Sequence, residues 1–188
     1  VKRVLFFVSH IGSGWENVVK ILEEHPRIQF HQLAAIFRHP IDLETLVALP
    51  HKDNTTAAIY GTVLLHNDAF AGRSLYKCCK FIYFIRRPRP TLTEIISKNL
   101  YNTKTAIDYY IFRIQRIYEM VVQTPNAILL TSGKVDLGLV ERYLNLKIPF
   151  NSYSEQEAED LLPQSYVADA EDAYENILYK IKKLNLNI

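Results

Sequence analysis

The chain has 188 residues, 48% of them hydrophobic, which suits a single globular α/β domain over 1–188 with a real core and leaves no room for a second full domain. A formal net charge of +2 is too small to argue for nucleic acid as a partner, so any preference for anions is local. No run approaches the ~18 apolar residues of a membrane span, and the two neighbouring cysteines, Cys78 and Cys79, make no disulfide framework, so no membrane contact and a reducing, cytoplasmic setting are expected.

The first element is the apolar run Val4 to Val8. Lys2-Arg3 ahead of it imitates a signal peptide, but the apolar part is short and no small-residue cleavage site follows, so it reads as a strand. The run stops at Ser9-His10-Ile11-Gly12-Ser13-Gly14, and a helical pattern carries Val18, Val19, Ile21 and Leu22 from Trp15 to Glu24. In such a strand–turn–helix, backbone N–H groups at Gly12-Ser13-Gly14 and the helix N-terminus converge on one spot, as they do around a nucleotide phosphate. An ordinary turn whose glycines only solve a backbone problem has the same sequence.

His25-Pro26 ends the helix. Ile28 to Ile36 reads as a short strand and connection, Ile41 to Leu49 as a short helix, and Pro50 to Thr56 as polar loop. Ala57 to Leu65 is a β-prone run that leads to His66, and Asn67-Asp68 caps a helix through Lys77. Lys80 to Ile85 is continuously apolar after its lysine, as a strand buried on both faces of a parallel sheet should be. Arg86-Arg87-Pro88-Arg89-Pro90 follows as a rigid basic turn. Thr91–Tyr101 and Thr105–Gln123 are helical, Asn126–Leu130 is a buried strand, Val135–Leu144 a helix, Ile148–Gln164 an irregular connection, and Val167–Leu184 a final helix. Alternating strands and helices imply three layers: a central parallel β-sheet with helices on both faces.

Charge is segregated. Glu94 is the only acid between Arg73 and Lys104, and Tyr153 to Glu175 carries acids with no Lys or Arg. The acidic run reads as a solvated loop and a helix N-terminus. The arginines Arg86, Arg87 and Arg89 follow the C-terminal end of a buried strand, where open parallel sheets bind ligands; a solubilising turn with salt-bridge partners is the other account of them.

Two segments together resemble the P-loop-like, PAPS-dependent sulfotransferases. Val4 to Pro26 is similar to their 5′-phosphosulfate loop, a strand followed by Pro-(Lys/Arg)-Ser-Gly-(Thr/Ser)-Thr and a helix ending near His-Pro; counting back from His25-Pro26 places Ser13-Gly14 on the family's Ser-Gly. Lys80 to Ser97 resembles the 3′-phosphate segment: Lys-x-Ile, a buried strand, Arg-(Asp/Asn)-Pro-Arg, and a serine eight residues after the first arginine. Weaker similarity continues through Ile128–Leu130 and Val140–Leu146.

The resemblance implies an α/β sulfotransferase-like domain that uses PAPS as co-substrate, needs no metal, and transfers a sulfuryl group to a hydroxyl or amine acceptor. It implies nucleotide binding by Gly12, Ser13, Gly14 and Trp15 at the 5′ end. At the 3′ end it implies Arg86, then Arg89, with Glu94 on the family's serine and Ser97 or Thr93 nearby. It implies His66 as the base, by its place after the strand that precedes the 3′-phosphate segment; a strand-end histidine that bonds a loop carbonyl is the competing account.

The chain departs from the family at three points. The loop cation falls on Gly12, the following Thr-Thr on Trp15-Glu16, and the serine on Glu94. Lys20, Arg38, Lys52 and Arg89 are the cations that could replace the first. These departures favour an alternative, a binding or scaffold protein on the same fold with a drifted nucleotide site. A P-loop NTPase requires Gly-Lys-(Ser/Thr) at the loop, and none occurs there.

Overall fold

The computed structural model of the chain describes residues 3–30, 59–65, 79–125, 127–133, 135–147, 149–150 and 162–184. Strand β1 (Arg3–Val8) is followed by helix α1 (Trp15–Glu23), β2 (Ile28–Phe30), β3 (Ile59–Leu64) and β4 (Cys79–Ile85). Helices α2 (Pro88–Ser97) and α3 (Thr103–Gln123), strand β5 (Ile128–Thr131), and helices α4 (Leu137–Leu144) and α5 (Gln164–Lys183) complete the described elements. The strands form one five-stranded sheet in the order β2-β3-β1-β4-β5, and every pairing is parallel.

The two-residue period of a strand sorts the apolar side chains into two cores. Val4, Phe6, Val8, Phe81, Tyr83 and Ile85 face one way and pack beneath Leu92 and Ile95 of α2, Tyr110, Ile114 and Ile117 of α3, and Val167, Tyr174 and Ile177 of α5. Leu5, Phe7, Ile82, Phe84, Ile128 and Leu130 face the other way, under Val18 and Leu22 of α1 and Val140 and Leu144 of α4. Both faces of the sheet are therefore covered, which is why β1 and β4 read as unbroken apolar runs. Cys79 is buried at the start of β4.

Local chemistry fixes the helix ends. Asn102 accepts a hydrogen bond from the Thr105 N–H at 2.9 Å and caps α3. Asp136 does the same for Leu139 at 2.8 Å and caps α4. Helix α2 begins at Pro88, so the basic segment expected to be a turn through Pro90 is already helical. Proline lacks only an N–H that the first helical turn leaves unused, and its fixed φ suits that position. Helix α5 likewise begins at Gln164, three residues before the expected Val167. The expected helices at 41–49 and 67–77, the loop at 50–56, and His66 lie outside the described residues. No helix among the described residues is long and apolar enough to cross a membrane.

Helices α1 and α2–α3 leave β1 and β4 toward opposite faces, which opens a crevice beyond the carboxyl ends of these neighbouring strands. Backbone and side chains knit those ends together. The Ser9 N–H donates to the Leu64 carbonyl at 2.9 Å, and Ser132 N–H to that of Ile85 at 2.9 Å. His10 is fully buried. Its Nε2 accepts the Arg86 N–H at 3.1 Å, which leaves Nδ1 as the donor to the Ile11 carbonyl at 3.0 Å. Its ring meets Tyr110 edge-on at 5.5 Å, and the Tyr110 hydroxyl donates to the Arg86 carbonyl at 2.7 Å.

Burial holds the His10 pKa down to about 3 from 6.5; the bond to the Ile11 carbonyl opposes this, and the charges of Arg113 and Arg86 reinforce it. The unfolded chain therefore binds a proton at His10 below about pH 6.5 while the folded chain stays neutral almost to pH 3. Stability from this group is full above that window and is lost as pH falls through it, by on the order of 5 kcal/mol. Urea unfolding between pH 7 and roughly pH 3.5 should show a steeper loss for the wild type than for His10→Gln. Equal slopes would remove His10 as the origin.

Candidate functional site

The turn after β1 is built to approach helix α2. Gly12 and Gly14 have φ of 73° and 68°, the left-handed region where a Cβ is disfavoured. A Cβ on Gly12 would lie 2.9 Å from both the Thr91 carbonyl oxygen and Ile95 Cγ1. The position that matches the family's loop cation therefore has no room for a side chain in this arrangement. One on Gly14 would lie 3.7 Å from Arg86 Nη1, so the Arg86 guanidinium flanks the turn at the N-terminus of α1.

Some loop amides are already engaged. The Ile11 N–H donates to the Tyr109 hydroxyl at 2.9 Å, and that of Ser13 to the His10 carbonyl at 3.3 Å. Gly14, Trp15 and Glu16 occupy the cap and first turn of α1, where a helix offers its N–H groups no intrahelical acceptor. The Ser13 side chain points inward. Its Oγ is 2.8 Å from Ser9 Oγ, which is 2.9 Å from the Phe84 carbonyl. Because a carbonyl only accepts, Ser9 donates to Phe84 and Ser13 donates to Ser9. Ser13 thus presents its backbone, not its hydroxyl, to the crevice. Trp15 is half-buried and packs against the core beneath α1.

Arg86, the first residue after β4, is buried. Its Nη1 donates to the Gly12 carbonyl at 3.1 Å and to Glu94 Oε2 at 2.8 Å. Glu94 Oε1 accepts from Lys98 Nζ at 2.7 Å. That hydrogen bond and the Glu94 charge raise the Lys98 pKa, with a smaller contribution from Glu16. The carboxylate that reads in sequence as the wrong charge beside a phosphate is thus bracketed by two cations.

The remaining candidates are more scattered. Arg89 turns away from the loop: its Nε donates to Glu171 Oε1 of α5 at 2.7 Å, and its Nη1 to the Leu162 carbonyl at 3.4 Å. Glu171 belongs to the acidic run expected to be solvated. Ser97 is exposed, and its hydroxyl donates to the Glu94 carbonyl at 3.1 Å. Thr93 Oγ1 is buried without a hydrogen-bond partner. Lys80 lies over the Tyr143 ring, 4.4 Å from its centroid. His66 is outside the described residues. The structure thus brings together Gly12, Ser13, Gly14, Arg86 and Glu94, and leaves Arg89 paired with Glu171 of the last helix.

Sequence reasoning missed Arg113. This side chain is buried on α3, and its Nη2 and Nε donate to the Ser9 carbonyl at 2.8 and 3.1 Å. The signal was available: Tyr110, Arg113, Ile114 and Ile117 have the spacing of one helical face, so a cation stands within an apolar stripe.

No family model matches the chain, and no curated protein matches it by sequence. Solved structures do match. The crystal structure of mouse sulfotransferase SULT7A1 complexed with PAP superposes with a TM-score of 0.57 at 13% identity, covering 78% of this chain and 60% of that one. The chain therefore spans less than two thirds of the mouse protein's length. The sulfotransferase from Alicyclobacillus acidocaldarius superposes with a TM-score of 0.59 at 10% identity, covering 98% of this chain and 96% of that one. What is shared at such identities is the architecture, a central parallel sheet with helices on its faces, and this chain has the sulfotransferase fold.

Proposed function

We propose that this chain binds a 5′-phosphosulfate nucleotide of the PAPS type and transfers its sulfuryl group to a hydroxyl or amine acceptor. The observation that carries this reading is the convergence of the α1 N-terminus and the Arg86 guanidinium, 3.7 Å from where a Gly14 Cβ would be, at the crevice of this fold. The fold supports it, since the mouse neighbour was crystallised with PAP.

In this reading, the amides of Gly14, Trp15 and Glu16 hold the 5′-phosphate, and the helix partial charge favours its negative charge. Arg86 and Glu94 are assigned to the ribose end, as the family resemblance implies. The acceptor oxygen or nitrogen attacks sulfur, the bond from sulfur to the bridging phosphate oxygen breaks, and the nucleotide leaves with both electrons of that bond. The acceptor's proton goes to a base, for which His66, two residues beyond the end of β3, is the proposed group.

A second reading, a binding or scaffold protein, is favoured by one observation. Gly12 packs so closely on Thr91 and Ile95 that the loop carries no cation toward a leaving phosphate. Loss of such a preorganised charge typically costs ~10²–10³ in rate.

Calorimetric titration with PAP and with adenosine 5′-monophosphate decides between the two. The first reading expects micromolar binding of at least one nucleotide, weakened about tenfold in Arg86→Ala, the loss usual for one charged hydrogen bond. Failure of both nucleotides at millimolar concentration would leave the scaffold reading. In a transfer assay over hydroxyl and amine acceptors, His66→Ala should lower turnover by ~10² or more while nucleotide affinity changes little; equal losses in both would assign His66 to binding.

A further inference from the structure

We infer that Glu94 is a specificity-determining residue that selects a nucleotide with free ribose hydroxyls over one carrying a 3′-phosphate. This rests on the nucleotide reading above and narrows its substrate class.

The argument begins with charge. Glu94 Oε2 is 2.8 Å from Arg86 Nη1, and its Oε1 is 2.7 Å from Lys98 Nζ. Glu16 adds a second carboxylate close enough to act on Lys98. Glu94 therefore already answers the charges of both Arg86 and Lys98, and a phosphate dianion arriving at Arg86 meets a carboxylate seated there. It also cannot displace Glu94 cheaply, because Lys98 holds the other carboxylate oxygen and the Gly12 carbonyl takes a further proton of Arg86 Nη1 at 3.1 Å. Repulsion between like charges at such separations is strong in a half-buried site.

The same carboxylate suits a hydroxyl. An ionised carboxylate only accepts hydrogen bonds and has about four lone-pair directions, of which the two cations use two. Glu94 is half-buried, with 23% of its side chain exposed, so the others are within reach of a ligand. Dinucleotide-binding folds discriminate in this way: an acidic side chain takes a ribose hydroxyl, and a nearby arginine takes a phosphate there instead. In this chain the arginine is present but is turned to the acid's service.

The test is titration of the full chain with adenosine 5′-monophosphate and with PAP, which differ only in the 3′-phosphate. The wild type should bind the monophosphate at least tenfold more tightly. Glu94→Ser and the isosteric Glu94→Gln should each tighten PAP at least tenfold and abolish or reverse the preference, with unfolding curves checking that each variant is folded. Equal or tighter binding of PAP by the wild type would overturn the inference while leaving the nucleotide site intact. So would folded Glu94 variants with an unchanged ratio. Binding of neither nucleotide by any form would overturn the nucleotide reading and this inference with it.

Discussion

A buried guanidinium at the end of a buried strand is the constraint around which the rest is arranged. Taking the Arg86 charge out of water costs several kcal/mol unless its protons are used and its charge is answered. Glu94 answers the charge from the second turn of α2, and the Gly12 carbonyl takes a proton from the other side. The backbone of the same residue is engaged as well, its N–H by His10 and its carbonyl by Tyr110. Helices α2 and α3 and the β1 turn thus meet at one residue, and the crevice takes its shape from that meeting.

His10 shows how charge and neutrality are balanced there. Two buried arginines, Arg86 and Arg113, act on its ring, and a third positive charge between them would have no counterion among its hydrogen-bond partners. The imidazole is instead kept neutral and serves as both acceptor and donor to backbone. It works as a strut of the β1–β4 junction.

The fold was legible because its signals are local. The unbroken apolar runs of β1 and β4 predict burial on both faces, and Arg86 stands at the first position beyond β4. The position of Glu94 was also legible, but its meaning was not. Whether a carboxylate repels a ligand or neutralises a guanidinium depends on the turn of α2 that brings it 2.8 Å from Arg86, and that helix begins at Pro88 where a turn was expected. Arg89 illustrates the harder limit. Its partner Glu171 lies 82 positions away, and no local spacing announces a pair that only the docking of α5 creates. Arg113 lies in a long amphipathic helix, where an arginine reads as surface unless, as here, its neighbours at helical spacing are apolar.

The close seat of Gly12 on α2 also constrains the routes by which this sequence can change. A lysine or arginine introduced at position 12 meets the Thr91 carbonyl and Ile95 at 2.9 Å and a backbone φ of +73°, so the charge cannot be installed by one substitution on an unchanged scaffold. Helix α2 must first move or Ile95 shrink, and either adjustment disturbs the helix that carries Glu94. Positions 12, 94 and 95 therefore form an epistatic group, in which the order of mutations decides which of them the fold can accept.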